Sequence, residues 1–253
     1  MSRKRRTAAD EPFLVVRTSM ADLNDGGLIA AHRHGWRQLI HVSSGLAVVR
    51  TAAGSWIAPP SWAVWVPDRV EHAIRFVGPS ALRTLYVRPD WRDDLPAGCC
   101  AFAVSPLLRE LILRTTQIGM LDRRAPAEAA MAELIVGEIG EDGPQPFNLP
   151  EPTTDATLRA ARLAVGKGAS HVGVGQIARA VGLAPRSLER RFLAETGMTF
   201  GRWRQQSLLL KGLERAAGGA SVKSAAEAAG YASPSAYVAA FRKAFGATPG
   251  RYF

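Results

Sequence analysis

The spacing of apolar and polar positions changes character along this chain and divides it into parts. From Phe13 to about Arg88, short runs such as LVVRT, LIHVS, LAVVRT, AVWVP, AIRFV and LRTLYV are rich in β-branched and aromatic residues. Gly, Pro and Asp clusters separate them, which predicts strands at the regular spacing of a small barrel or sandwich. GSWIAPPSWAVWVPD reads as a loop-and-strand passage, with Pro59 and Pro60 marking the turn. From Val104 the period lengthens. Leu107, Leu108, Leu111 and Ile112 fall at helical spacing, and Pro126 opens a second helical run with Ala130, Leu134 and Ile135 on one face. Two such helices would either form a dimer interface or cover the barrel, and dimerisation is the expectation. Residues 141–154, with Pro144, Pro146, Pro150 and Pro152, read as a linker.

Everything after Asp155 reads as helical. VGQIARAVGLAPRSLERRFLAET, Val174 to Thr196, predicts a short helix, a break at Gly182 and a second helix. Pro185 suits the first turn of that second helix, and Ala184 falls at its N-cap. Leu188 and Phe192 give it one buried face, while Arg186, Glu189, Arg190 and Arg191 lie off that face. A short helix followed by one that exposes arginines is the shape a DNA major groove accepts. The unit has an echo near the C-terminus, where Ala226, Gly230, Tyr237 and Phe241 correspond to Ala178, Gly182, Leu188 and Phe192. Ser233 and Pro234 supply the second copy with a good N-cap and first-turn residue. Between the copies, GRWRQQSLLLKGLERAAGG predicts a rod with Trp203, Leu209, Leu210 and Leu213 as its apolar stripe, long enough to hold two recognition helices in successive grooves.

Charge sharpens this division. The chain of 253 residues carries a formal net charge of +10, and residues 151–253 hold 15 basic against 6 acidic residues. The excess therefore sits in the segment with the paired units, where it favours a phosphate polyanion. The length suits two domains, and no apolar run approaches a membrane span. MSRKRR resembles the start of a signal peptide, but FLVV is too short for its apolar core, so a cytoplasmic location is expected. Residues 1–11 are expected to be disordered. Cys99 and Cys100 are adjacent, which suits buried thiols better than a disulfide or a CxxC metal site.

Three histidines fall in the strand region. His32 and His34 are two apart, so on a strand they share a face; Gln38 follows, and His72 comes after VPDRVEH. This order resembles the cupin motif pair. Gly26, His32, His34, Gln38 and Gly45 stand at the positions of the first motif's Gly, His, His, Glu and Gly, and Pro67 and His72 at the second's Pro and His. Gln38 replaces the usual Glu, and Arg69 stands where the second motif has Gly. The resemblance implies a divalent transition metal, Zn or Ni, held by His32, His34, His72 and Gln38, or a barrel that keeps them as hydrogen-bonded pocket lining. Trp36, Trp56, Trp62 and Trp65 are candidates for an effector pocket.

The C-terminal hundred residues resemble the DNA-binding domain of the AraC family of bacterial transcription regulators. IARAVGLAPRSLERRF, the linker helix with its LLL run, SAAEAAGYASPSAYVAAFRKAFG and the closing ATPGRYF match in order. The resemblance implies an α+β multidomain protein: a cupin-like effector-binding β-barrel with trailing helices over 12–140, a linker over 141–154 and a domain with two helix-turn-helix units over 155–253. It implies double-stranded promoter DNA, RNA polymerase and a small effector as partners, and activation or repression as the outcome; the homodimer is expected from the two helices before the linker. Base-facing positions by that resemblance are Arg186, Ser187, Glu189 and Arg190 in the first unit and Ser235, Ala236, Val238 and Ala239 in the second. Arg191, Lys223, Arg242 and Lys243 suit phosphates. The second set offers few hydrogen bonds, so the first unit is expected to specify and the second to anchor. The alternative is a cupin-type metalloenzyme fused to a DNA-binding tail. That enzyme would need a carboxylate near its metal, and Glu71, next to His72, points to the other face of a strand. A non-specific architectural protein is supported only by net charge.

Overall fold

A computed structural model describes residues 12–140, 147–166 and 172–252. The expected tail 1–11 and residues 141–146 of the expected linker lie outside the described residues. Chain contacts divide the rest into two compact units. One takes the chain up to Ala47 and again from Ala58 through the two helices that follow the strands; the other takes Val48–Ile57 together with the chain from Phe147 onward.

The first unit is built from strands β1 (Leu14–Leu23), β2 (Leu28–His32), β3 (Arg37–His41), the start of β4 (Leu46–Thr51), β6 (Trp62–Val66), β7 (His72–Val77), β8 (Ser80–Val87), β9 (Cys100–Ala103) and β10 (Met120–Asp122). Six of them form an antiparallel sheet in the order β10-β1-β8-β3-β6-β9. In a second sheet β2 pairs antiparallel with β7, and His32 stands opposite His72. The alternation expected of a half-buried strand is plain in β7, where His72, Ile74 and Phe76 are buried between half-exposed neighbours.

Helices α1 (Pro106–Ile118) and α2 (Pro126–Gly137) cover this unit's core. Leu108, Leu111 and Ile112 of α1 and Ala132, Ile135 and Val136 of α2 join Val15, Leu39, Trp65 and Leu85 in one apolar cluster. The structure corrects the face expected for α2. Ala130 and Leu134 are not buried in the core, because the stripe that follows the helical period runs through Ala132, Ile135, Val136 and Ile139. Cys99, half-buried, and Cys100, buried, are not joined in a disulfide, and burial pushes the Cys99 thiol up to about 11.

The second unit contains β5 (Gly54–Ala58), β11 (Asn148–Pro150) and six helices: α3 (Asp155–Val165), α4 (Val174–Ala180), α5 (Pro185–Thr196), α6 (Phe200–Ala217), α7 (Val222–Ala228) and α8 (Pro234–Phe245). The end of the proline-rich stretch is ordered: β11 pairs antiparallel with β5, and the Pro150 and Asn148 carbonyls accept from Trp203 Nε1 and Gln206 Nε2 of α6. Gly182 (φ 73°) and Gly230 (φ 77°) make the two expected turns in the left-handed region. The 18 residues of α6 give a rod of about 27 Å. Around the first pair, Ile177, Ala178, Leu188, Phe192, Phe200 and Trp203 pack together. Around the second pair, Phe241 meets Phe245 with ring centres 4.3 Å apart, and Phe147 stacks on Phe245 at 5.2 Å.

Candidate nucleic-acid interface and sensor site

Helix α5 buries Leu188 and Phe192 and turns Arg186 and Arg191 to solvent, with Ser187 and Arg190 beside them. The helix starts at Ala184, whose side chain makes no cap bond, with Pro185 in the first turn. Three guanidiniums off the buried face of a helix seated on a short partner helix form a cationic ridge suited to bases and phosphates. Glu189 departs from this pattern. Its carboxylate accepts from the Phe200 backbone N–H at 2.8 Å, at the start of α6. It therefore serves a helix terminus inside its own domain, a bond beyond the base-facing position expected of it. Sequence spacing carried no signal for this bond, since its partner lies eleven residues away on another helix.

Helix α8 is the counterpart. Ser233 caps it by accepting from Ala236 N at 3.2 Å, and Tyr237, Phe241 and Phe245 form its buried face. Ser235, Ala236 and Ala239 are exposed, Val238 is half-buried, and Ser235, Val238 and Ala239 line a shallow concave surface with Arg242 and Lys243. Lys223 of α7 is exposed. The outward face of α8 thus carries methyl groups over most of its length and cations only in its last turn.

The three histidines meet. Their ligand atoms all lie within 4.8 Å of one another, His32 and His34 half-buried and His72 buried. β2 and β7 bring His32 against His72, and the turn after β2 delivers His34. Gln38 comes from β3 in the six-stranded sheet, opposite Tyr86 of β8. Each imidazole has its Nδ1 on a backbone carbonyl: His32 on Ala30 at 2.9 Å, His34 on Trp36 at 2.6 Å and His72 on Val70 at 2.9 Å. A carbonyl only accepts, so Nδ1 carries a proton in all three rings and Nε2 is the atom left to face the cluster. Burial pushes the His72 ring toward its neutral form, and the neighbouring His32 and His34 add to that direction.

Gln38 is fixed with equal definition. The Thr84 hydroxyl donates to the Leu39 carbonyl at 2.8 Å, so toward Gln38 it can only accept, and it takes the amide N–H at 2.9 Å. The amide oxygen is thereby aimed at the rings, 3.0 Å from His34 Nε2 and 2.9 Å from His72 Nε2. The Gln38 oxygen and these two ring nitrogens thus converge on one point, where either an Nε2–H donating to the oxygen or a cation between them satisfies the lone pairs. Nδ1 anchored on backbone oxygen with Nε2 free is the support that metal-binding histidines use.

The four tryptophans do not gather into a pocket. Trp62 and Trp65 are three apart on β6 and so point to opposite faces; Trp65 sits in the core with its indole N–H on the Pro96 carbonyl. Trp56 lies in β5 of the second unit, opposite Asn148. Only Trp36 touches the sensor region, lying under the Arg17 guanidinium at 4.0 Å. The cavity of about 320 Å³ beside the histidines is lined instead by Arg17, Thr18, Ser19, His32, His34, Tyr86, Gly119 and Met120. Motif spacing does not reach Arg17 and Tyr86, because neither lies in a motif; the period-two register of β1 and β8 would have placed them on neighbouring strands.

A two-sheet β domain with a small polar cavity is followed by paired helix-turn-helix units on one rod, the organisation of a DNA-binding protein with a ligand-binding domain. Comparison with known proteins agrees. Residues 23–145 match the AraC-like ligand binding domain and residues 177–253 match a helix-turn-helix domain. The chain is 32% identical over 222 residues to the HTH-type transcriptional regulator NimR of Escherichia coli K12, covering 87% of this chain and 81% of that protein. It is 30% identical over 107 residues to the HTH-type transcriptional regulator RipA of Corynebacterium glutamicum, 41% of this chain and 32% of that one. The crystal structure of ToxT from Vibrio cholerae O395 superposes with a TM-score of 0.37 at 12% identity, over 94% of this chain and 96% of that chain. The chain belongs to the AraC family of transcription regulators. Among the described residues no helix is long and apolar enough to cross a membrane.

Proposed function

We propose that this protein binds promoter DNA in a sequence-specific way and is controlled by what its β domain holds, with RNA polymerase as the partner on which bound protein acts and a homodimer as the acting form. The observation that carries the DNA reading is the outward face of α5, where Arg186, Arg190 and Arg191 lie over a helix seated by Leu188 and Phe192. Arg186 and Arg190 suit bidentate pairing with guanine, with Ser187 beside them, and Arg191 suits a phosphate. On α8, Ser235, Ala236, Val238 and Ala239 offer thymine methyl contacts while Arg242, Lys243 and Lys223 hold phosphates, so α5 specifies and α8 anchors. The domains expected at 12–140 and 155–253 divide this labour between sensing and DNA binding.

In the sensor, His32, His34, His72 and Gln38 hold a divalent transition metal. The convergence of three imidazole nitrogens and one fixed amide oxygen supports this, and imidazole donors favour Zn or Ni over Mg or Ca. The metalloenzyme alternative finds less support, since the described residues lining the cavity include no carboxylate to act as a base. Selection of random duplexes by the purified full-length protein, with metal assayed on the same sample, tests both parts. The expected result is an enriched asymmetric motif and bound metal that a His32→Ala variant loses. No enrichment over bulk DNA would overturn the DNA reading; metal absent from the protein, even after incubation with Zn or Ni, would overturn the sensor reading.

A further inference from the structure

We infer that Leu193 extends the base-reading face of α5 and selects for thymine, through contact with the methyl group of that base. This rests on the DNA reading just given and adds one residue and one base to it.

The first support is position. Residues three, four and seven apart on a helix lie along one stripe of its surface. Arg186, Arg190 and Leu193 form such a stripe on α5, on the side away from the buried Leu188 and Phe192. All three are exposed, Leu193 at 47%. Helices that lie along a major groove, as in homeodomains, read it with positions i, i+3, i+4 and i+7. Counted from Arg186, those positions are Glu189, Arg190 and Leu193. The Glu189 carboxylate already accepts from the Phe200 backbone N–H. From Arg186 to Leu193 the stripe rises about 10 Å, or about three base-pair steps.

The second support is chemistry. A single exposed leucine is ordinary on a protein surface, so its place is what gives it meaning. The other large apolar side chains exposed among the described residues of this unit, Leu163 of α3 and Val222 of α7, lie off both recognition helices. Leu193 stands among Arg186, Arg190 and Arg191, with the small, exposed Ala194 beside it. One apolar side chain among cations does not make the contiguous apolar patch that a protein partner buries. It suits a polyanion that carries an apolar group between polar edges. In the major groove that group is the thymine methyl, and the other three bases present only donors and acceptors. A leucine pressed on those edges would leave them without partners, which costs binding.

The third support is the contrast with α8. The position there that matches Leu193 is Arg242. A guanidinium on a long stem reaches past base edges to a phosphate, whereas a leucine meets only what stands directly before the helix. The two helices therefore differ in order as well as content. α5 carries its cations first and its apolar contact last, and α8 the reverse.

The test uses the full-length protein on the operator that selection of random duplexes defines. Each thymine of the half-site read by α5 is replaced in turn by deoxyuridine, which lacks only the methyl group. The expected result is one thymine at which deoxyuridine weakens wild-type binding about fourfold, the value of one buried methyl group. Leu193→Ala should bind the thymine operator about fourfold more weakly than wild type does, and should no longer distinguish thymine from deoxyuridine there. Its melting temperature should match wild type, because the side chain is exposed. A half-site in which no thymine responds to deoxyuridine, or a response that Leu193→Ala leaves intact, would overturn the inference and leave α5 reading through its arginines. Unchanged operator affinity in Leu193→Ala would overturn it too, and would assign the leucine to a surface for a protein partner. A lowered melting temperature would take Leu193 off the outward face. Selection that enriches no motif would overturn the DNA reading itself, and with it this one.

Discussion

Glu189 and Phe200 are joined by a hydrogen bond of 2.8 Å from the Phe200 backbone N–H to the Glu189 carboxylate. The bond ties the middle of the first recognition helix to the first turn of the rod that carries both units. Phe200 is the first residue of α6, so its N–H has no partner within the helix, and the Thr199 side chain caps Arg202 N instead. An anion at that end also meets the positive pole of the helix.

Glu189→Ala should therefore lower stability by about 1 kcal/mol, the usual cost of a lost cap. It should weaken binding to all duplexes by a similar factor, since the orientation of α5 on α6 is what changes. Thermal unfolding and a duplex selection check this together. Unchanged stability with relaxed preference at a single base pair would return Glu189 to base reading.

Glu195, near the other end of α5, ties the same helix to α3. Its carboxylate accepts from Thr153 N at 2.7 Å, Thr154 N at 3.1 Å and the Thr157 hydroxyl at 2.7 Å, where the Thr154 side chain makes no backbone cap bond of its own. Burial works to raise its pKa, but these bonds to the charged form prevail and hold it at about 2 against an ordinary 4.5. A carboxyl whose pKa is lower in the folded chain contributes stability in full above its unfolded value and loses it as pH falls. The stability gap between wild type and Glu195→Gln should thus be about 1 kcal/mol near neutrality and should close as pH falls from 4.5 toward 2. A gap that stays constant over that window, followed by denaturant unfolding, would remove the charged cap from the account.

Gly212 sits inside α6 where the Tyr237 ring crosses it. A Cβ there would stand 2.7 Å from Tyr237 Cε2 and 2.8 Å from Cζ. Alanine would gain about 1 kcal/mol of helix propensity, but overpacking of a buried aromatic costs about 1–3 kcal/mol. Gly212→Ala should therefore lower the melting temperature and loosen α8 on the rod. A rise in melting temperature would show that the ring can move aside.

Much of this was legible in the sequence because it depends on local rules. Gly182, Pro185, Ser233 and Pro234 mark turns and helix starts by their own backbone chemistry, and the spacing of Leu188 and Phe192 sets the buried face of α5. His32 and His34 share a face by strand alternation. What escaped depends on partners distant in the chain. The Glu189 and Glu195 carboxylates look like surface charge until α6 and α3 are in place, and β11 hides in a proline-rich run because its pairing partner lies about ninety residues earlier. The tryptophans suggested a pocket by composition, yet register on β5 and β6 scatters them. Gly212 did carry a signal, since glycine inside a helix costs stability unless something needs the room.

Arg69 shows how a departure from a motif acquires physical meaning. It stands where the cupin pattern has glycine, and it is the one described non-glycine residue with positive φ, at 61°. Its N–H donates to the His34 carbonyl at 2.8 Å, which keeps the turn beside the histidines in place. A side chain in the left-handed region costs about 1–2 kcal/mol, partly offset by the greater freedom glycine has in the unfolded chain. Arg69→Gly should therefore stabilise the β domain by roughly 0.5–1 kcal/mol. Lower stability, read by thermal unfolding, would mean that the Arg69 side chain contributes more than its backbone strain costs.

The last expectation concerns the two recognition helices. Arg190 stands off the buried face of α5, and the matching stretch of α8 shows Ala236, Val238 and Ala239 before its cations begin at Arg242. A bidentate pair with guanine discriminates by about 1–3 kcal/mol, whereas a methyl contact has no comparable directional demand. Arg190→Ala should therefore cost about 1–3 kcal/mol on the preferred operator and erase preference at one base pair. Arg242→Ala should weaken every duplex alike and reduce the salt dependence by about one counterion. Binding measured at several salt concentrations, on operators altered in one half-site at a time, separates the two. If changes in the second half-site cost as much as changes in the first, α8 reads sequence after all and the division between specifying and anchoring fails. If Arg190→Ala weakens all sequences uniformly, Arg190 holds a phosphate, and the hydrogen-bonded specificity of α5 must come from Arg186 and Ser187.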